Sequence, residues 1–214
     1  MKRHLTFALA QWLTDSPQLE VGEILVRRQP GGFELLHRDD LKRNDLAAHT
    51  RAEDARLLAT LDDHDTYRPL KSAPNLRHGW RLLLTTPEEV RIALDYFYPA
   101  ALGLFTDWQQ QMLTPVDLRE TLGRQSGMYA ITRKITDEQA QEMIGAFCTS
   151  QGGCLKTILW SISPGLPICS LPPEKFDAHT VRGKGCNLPL LCHEACNLLV
   201  AKAREVVKSA AKAE

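Results

Sequence analysis

Apolar positions in the first third of the chain fall into short runs separated by turn residues, and the later ones follow a helical period. Residues 5–13 form an apolar run too short for periodicity to choose between helix and strand. Ile24-Leu25-Val26 and Phe33-Glu34-Leu35-Leu36 flank Gln29-Pro30-Gly31-Gly32, which predicts a β-hairpin because glycine supplies the positive φ of a tight turn. "RAEDARLLATL" (51–61) has helical spacing, and its charges read as a solvated face. Residues 66–79, with Pro69, Pro74, Asn75 and Gly79, read as an irregular connection, and "GWRLLLTT" (79–86) as a strand.

Three capped helices follow. Thr86-Pro87-Glu88-Glu89 offers a hydroxyl cap, proline in the first turn and a glutamate for a capping box, with Pro99 ending that helix after Tyr98. Thr114-Pro115-Val116-Asp117 repeats the device, with Gly123 as its stop. Thr136-Asp137-Glu138-Gln139 opens a third helix, ending near Phe147. "LKTILWSI" (155–162) suits a buried helix or strand. Residues 163–191 hold five prolines and three glycines, which predicts an irregular loop. A last helix is expected from Cys192–Glu194 onward, with Leu199, Ala203, Val206 and Val207 on its apolar face. The fold class is α+β: a small α+β domain with a hairpin over 1–110, then a mainly helical domain with an irregular cysteine-bearing loop over 111–214.

Composition excludes more than it assigns. Hydrophobic residues are 43% and charged residues 24%, ordinary for a globular chain. With 26 basic and 26 acidic side chains the net charge is zero, so neither nucleic acid nor an anionic membrane is an expected partner. The N-terminal apolar run is short and followed by Asp15 and Glu20, unlike a secretory signal, and no stretch reaches a membrane span. A cytoplasmic location is expected, where cysteines favour metal ligation over disulfides.

All six cysteines lie between Cys148 and Cys196. Cys148 and Cys154 are spaced Cys-x5-Cys, Cys192 and Cys196 are spaced Cys-x3-Cys, and 37 residues separate the two pairs. Four soft thiolates converging on one point suit an iron–sulfur cluster or zinc. The five-residue gap is long for a zinc knuckle. Metal-free thiols or a redox disulfide form a third reading. Cys148 is expected at a helix end, with Gly152 and Gly153 letting the chain fold back to Cys154. Cys192 and Cys196, at i and i+4, are expected on one face near a helix N-terminus, where the dipole favours thiolate. Cys169 and Cys186 are buried thiols or substitute ligands. Lys156, Arg182 and Lys184 could offset the charge of a thiolate cluster. His193 reads as a helix-capping surface histidine, and Trp160 as a core aromatic shielding the site.

The Cys-x5-Cys and Cys-x3-Cys spacings resemble the [4Fe–4S] signature of sirohaem-dependent sulfite and nitrite reductases. "LRETLGRQSGMY" (118–129), "CLKTILW" (154–160) and "CHEACNLLVAKARE" (192–205) resemble a bacterial multidomain family more closely. That family joins a half similar to sirohydrochlorin cobaltochelatase to a stabilising domain and a 4Fe–4S cluster-binding domain, and the similarity covers about residues 20–207. The resemblance implies one [4Fe–4S] cluster on Cys148, Cys154, Cys192 and Cys196; zinc stays the alternative metal from the thiols alone. It also implies an accessory role beside a cobalt- or iron-inserting chelatase of sirohydrochlorin, cobalamin or sirohaem chemistry. The chelatase half is absent from these residues, so this chain by itself is not expected to insert metal.

Arg119, Arg124, Arg133 and Lys134 face a single acid, Glu120, in "RETLGRQSGMYAITRK". Guanidinium groups bind carboxylates in pairs, so the segment could take a carboxylate-rich tetrapyrrole or a partner chelatase. The plainer reading pairs these cations with the domain's own acids. No nucleotide loop, nucleophile elbow or metalloprotease motif is present. The competing classes are an iron–sulfur accessory protein, an interaction module with structural zinc, and an autonomous redox enzyme.

Overall fold

The computed structural model describes residues 2–148, 153–163, 166–167 and 186–213. They group into two compact units, residues 2–112 with 186–190, and residues 113–148, 153–163 and 166–167 with 191–213.

In the first unit, the ambiguous run at 5–13 is helix α1 (Lys2–Asp15), which buries Leu9 and Leu13, one turn apart. Strands β1 (Gln18–Val21), β2 (Ile24–Gln29) and β3 (Gly32–His37) form an antiparallel meander. The expected hairpin closes on Pro30-Gly31, with Gln29 opposite Gly32 and Gly31 at φ +87°. Gly32 is required for a different reason: a Cβ there would lie 2.1 Å from the Leu84 carbonyl oxygen on the next strand.

Strands β4 (Ala47–His49) and β5 (Trp80–Leu84) extend the sheet beyond β3, and the returning segment β9 (Cys186–Leu188, numbered in chain order) pairs in parallel with β1. The strand order is β4-β5-β3-β2-β1-β9. Part of the segment expected to be an irregular loop is therefore a sheet strand. Its short Cys-Asn-Leu run needs few backbone bonds, and the exposed edge of β1 supplies them.

Helices α3 (Pro87–Phe97) and α4 (Ala101–Gln109) pack with α1 around a core of Leu19, Val21, Ile24, Leu35, Leu82 and Phe105. Trp80 stacks on Phe97 with ring centroids 5.0 Å apart. The capping box of Thr86 and Glu89 is formed as expected.

The helix expected at 51–61 is reduced to one 3₁₀ turn and α2 (Ala55–Leu58). Thr60 turns its hydroxyl back to the Arg56 carbonyl, and the Asp62 carboxylate then accepts the amides of His64 and Thr66. These side-chain bonds compete with helical ones and stop the helix. The irregular connection at 66–79 winds around buried Arg68, whose guanidinium donates to Asn75 Oδ1 and to the carbonyls of Lys71 and Ala73. Burial holds that group below its ordinary value.

The second unit contains α5 (Leu118–Gly123), a 3₁₀ stretch at Gly127–Lys134, α6 (Asp137–Phe147) and α7 (Asn197–Ala213). Short strands β6 (Thr157–Ile158), β7 (Ser161–Ser163), β8 (Leu166–Pro167) and β10 (Leu191–Cys192) lie between the helices in sequence. The capping box at Thr136 with Gln139 is formed.

Two helix starts differ from expectation. Asp117, not Thr114, caps α5, because its carboxylate accepts the Glu120 amide and offers a stronger acceptor at the dipole's positive end. The last helix begins at Asn197, because Leu191 and Cys192 are drawn into a parallel ladder with Thr157 and Ile158. Leu118, Leu122, Ile144, Trp160, Ile162, Leu199, Ala203 and Val207 form the core of this unit. Among the described residues, no helix is long and apolar enough to cross a membrane.

Candidate metal centre

Each cysteine of the two close pairs is placed by a separate local device. Cys148 ends α6, its amide donating to the Ile144 carbonyl at 2.8 Å. The chain then folds back so tightly that a Cβ on Gly153 would lie 1.9 Å from the Phe147 carbonyl oxygen. Only glycine fits at position 153. Gly152 lies outside the described residues.

Strand β6 follows Cys154 and pairs in parallel with β10, setting Cys192 opposite Ile158. The Leu159 amide donates to the Cys192 carbonyl at 2.8 Å, continuing that ladder. Cys196 immediately precedes α7, and its carbonyl accepts the Val200 amide at 3.0 Å. Cys192 and Cys196 therefore do not share a helical face. One ends a strand and the other opens a helix.

The four thiols, none of them in a disulfide, lie near enough that the charges of the other three act on Cys148. Cys154 is buried, and Cys148, Cys192 and Cys196 are half-buried against the core of the unit. Burial pushes the Cys148 thiol up to about 12, and the charges of Cys154, Cys192 and Cys196 push in the same direction. Burial also raises Cys192, while the indole N–H of Trp160 and the ammonium of Lys156 pull it back down. Trp160 Nε1 donates to Cys192 Sγ at 3.2 Å, and that thiol faces the Glu194 carbonyl at 3.3 Å. A buried set of thiols that disfavour one another as thiolates is neutralised by a bound cationic centre, which takes up the charge that burial penalises.

The donor set fits an iron–sulfur cluster. It is all sulfur, half-buried, beside a cation and one N–H donor. Four cysteine thiolates satisfy the ligand count of such a cluster, as they would that of a structural zinc ion. Cys148, Cys154, Cys192 and Cys196 would hold such a cluster, and its chemistry would be one-electron storage.

The backbone of Cys186 belongs to β9 in the sheet of the first unit. Cys169, Arg182 and Lys184 lie outside the described residues. His193 precedes α7 by four positions instead of capping it, and its carbonyl accepts the Val116 amide at 3.2 Å.

The basic segment mostly serves its own unit. Arg119 binds the Asp137 carboxylate and the Ile135 carbonyl. Arg133 donates to the carbonyls of Gly123 and Gln125 at 2.9 and 3.1 Å. Lys134 is exposed. Arg124 binds the carboxylate of Glu194, which Thr121 also contacts at 3.3 Å. Glu194 sits between Cys192 and Cys196, so α5 clasps the loop that presents both thiols. Sequence reading missed this role, since a lone glutamate between two cysteines carries no spacing signal.

Comparison with known proteins matches residues 8–112 to the DR2241 stabilising domain and residues 110–205 to the 4Fe-4S iron-sulfur cluster binding domain. No curated protein matches this chain. Among solved structures, the chain is similar to DR2241 from Deinococcus radiodurans, at 26% identity and a TM-score of 0.79. That structure is described as a multi-domain protein with structural similarity to chelatases and two additional novel domains. The match covers 98% of this chain and 42% of that one, so this chain spans less than half the length of that relative.

Proposed function

We propose that this chain binds one [4Fe–4S] cluster through Cys148, Cys154, Cys192 and Cys196 and acts as an accessory to a chelatase of sirohydrochlorin-type tetrapyrroles. The observation that carries the cluster reading is the gathering of four thiols whose charges act on Cys148, within residues that match a 4Fe-4S cluster binding domain. The chelatase association draws on the likeness to a protein described as similar to chelatases. In this reading the cluster supplies an electron, a redox signal or a tether for the second unit, and the partner supplies the metal-insertion site.

The test is metal and sulfide analysis of anaerobically purified protein. A brown preparation with about four irons and four sulfides per chain is expected. Cys148→Ser and Cys196→Ser should each lose iron. A colourless protein with zinc as its metal would overturn the cluster reading. Titration with sirohydrochlorin, followed by its visible absorption, tests the tetrapyrrole part separately, and an unchanged spectrum with and without an added chelatase would overturn that part alone.

A further inference from the structure

In the first unit, β3 ends at His37 and the chain turns at once through Arg38–Asp40, while neighbouring β5 begins at Trp80 just after His78. This juxtaposition packs the imidazoles of His37 and His78 together, with ring centroids 3.7 Å apart. Among the described residues, His37, Asp39 and His78 are the one group whose three ligand atoms all lie within 4.8 Å of one another. We propose that these three residues bind a divalent first-row transition-metal cation, in a site with no thiol in its donor set.

The surroundings of the pair support a metal over an ordinary histidine contact. His37 is 1% exposed, and its Nε2 has no hydrogen-bond partner. The carboxylate oxygen Glu23 Oε1 lies 3.7 Å away, too far for a hydrogen bond. Nδ1 is the ligand face of His37. It lies 3.8 Å from Asp39 Oδ2 and accepts only a long bond from the Asp39 amide, at 3.2 Å. A cation there would displace that bond to solvent, and the Nε2 proton would stay directed at buried Glu23.

His78 has a carboxylate at each nitrogen, Asp40 Oδ1 at 3.3 Å from Nδ1 and Asp63 Oδ2 at 3.4 Å from Nε2. With one nitrogen on a metal, the other keeps a carboxylate acceptor. Carboxylates behind the imidazoles are the arrangement that orients histidine ligands and raises their basicity. Four carboxylates, Glu23, Asp39, Asp40 and Asp63, surround the pair. Arg43 pairs with Asp40 at 3.3 Å, and Arg38 approaches Asp39 at 3.9 Å. Acids still outnumber these two arginines, leaving room for a dication. Two imidazoles and one carboxylate favour zinc, nickel, cobalt or ferrous iron over magnesium or calcium, which prefer all-oxygen sites.

The test is zinc titration of the anaerobically purified full chain by calorimetry, with zinc K-edge X-ray absorption on the loaded protein. One equivalent of zinc should bind to nitrogen and oxygen neighbours. Asp39→Ala and His78→Ala should each weaken binding at least tenfold, and Asp63→Asn about tenfold, as for removal of an outer carboxylate. Asp39 is exposed, so its loss should leave the thermal unfolding of the metal-free protein unchanged. Zinc seen among sulfur neighbours, affinity unchanged in both ligand variants, or no uptake by the wild-type chain would each overturn the proposal. The absorption measurement on the wild type decides even where a variant fails to fold.

Discussion

Trp160 and Cys192 are joined by an indole N–H to sulfur hydrogen bond of 3.2 Å, made by a tryptophan only 2% exposed. Hydrogen bonds to ligand sulfur stabilise the electron-rich form of an iron–sulfur cluster and raise its potential. Trp160→Phe keeps the ring in the core and removes the donor. Its reduction potential should fall by tens of millivolts, from a bond worth about 1 kcal/mol in one-electron terms. A redox titration followed by electron paramagnetic resonance measures this, and an unmoved potential would assign Trp160 to packing alone.

Two glycines of the second unit should respond oppositely to alanine. Gly153 has the Phe147 carbonyl where a Cβ would go, so Gly153→Ala forces backbone apart between Cys148 and Cys154. Overpacking of this kind costs about 1–3 kcal/mol, and the displaced thiol should reduce iron content as well. Gly145, within α6, has nothing within 4 Å of its ideal Cβ. Gly145→Ala should stabilise the protein by about 0.5–1 kcal/mol through helix propensity. Urea unfolding with iron analysis of both variants checks the pair.

What could be read in advance divides along the range of the interactions involved. The hairpin at Gly31 and the caps at Thr86 and Thr136 are made by residues within a few positions of one another, and sequence patterns record them directly. The two close cysteine pairs were legible for a similar reason, because their spacings are short. Elements fixed by distant partners were not. The Cys192 strand exists because Thr157 and Ile158 offer a ladder, and this moves the start of α7 to Asn197. Strand β9 joins a sheet whose other members lie more than a hundred residues earlier. The His37–His78 pair depends on β3 and β5 being neighbours, which no local spacing announces.

The Arg124–Glu194 clasp should matter more for the cysteine loop than for global stability. Both side chains are partly exposed, at 50% and 35%, so the pair contributes no more than about 1 kcal/mol to unfolding. The same contact fixes the segment between Cys192 and Cys196. Glu194→Gln should leave the urea midpoint nearly unchanged and speed iron loss to a chelator several-fold. Equal rates of iron release in variant and wild type would show that the ladder at Cys192 holds the loop without help.

The capping box that opens α3 makes a pH-dependent contribution whose sign follows from Glu89. Its carboxylate is held below its ordinary value of 4.5, first by the Thr85 hydroxyl and amide and then by the amide and hydroxyl of Thr86. A carboxylate with a depressed folded value contributes stability that is complete above its unfolded value. That contribution is lost as pH falls through the lower folded value, because protonation removes the acceptor. Glu89→Gln keeps one oxygen acceptor and lacks the charge at the helix N-terminus, where a negative group contributes about 0.3–1 kcal/mol. The variant should therefore be less stable than the wild type at pH 7, and the two should converge as pH drops below the ordinary carboxylate range. Thr86→Ala removes the hydroxyl cap and should cost about 1 kcal/mol at either pH. Thermal unfolding of the three proteins from pH 7 down to pH 3 measures both effects, and a constant gap between Glu89→Gln and wild type across that range would show that the charge of Glu89 contributes nothing to the cap.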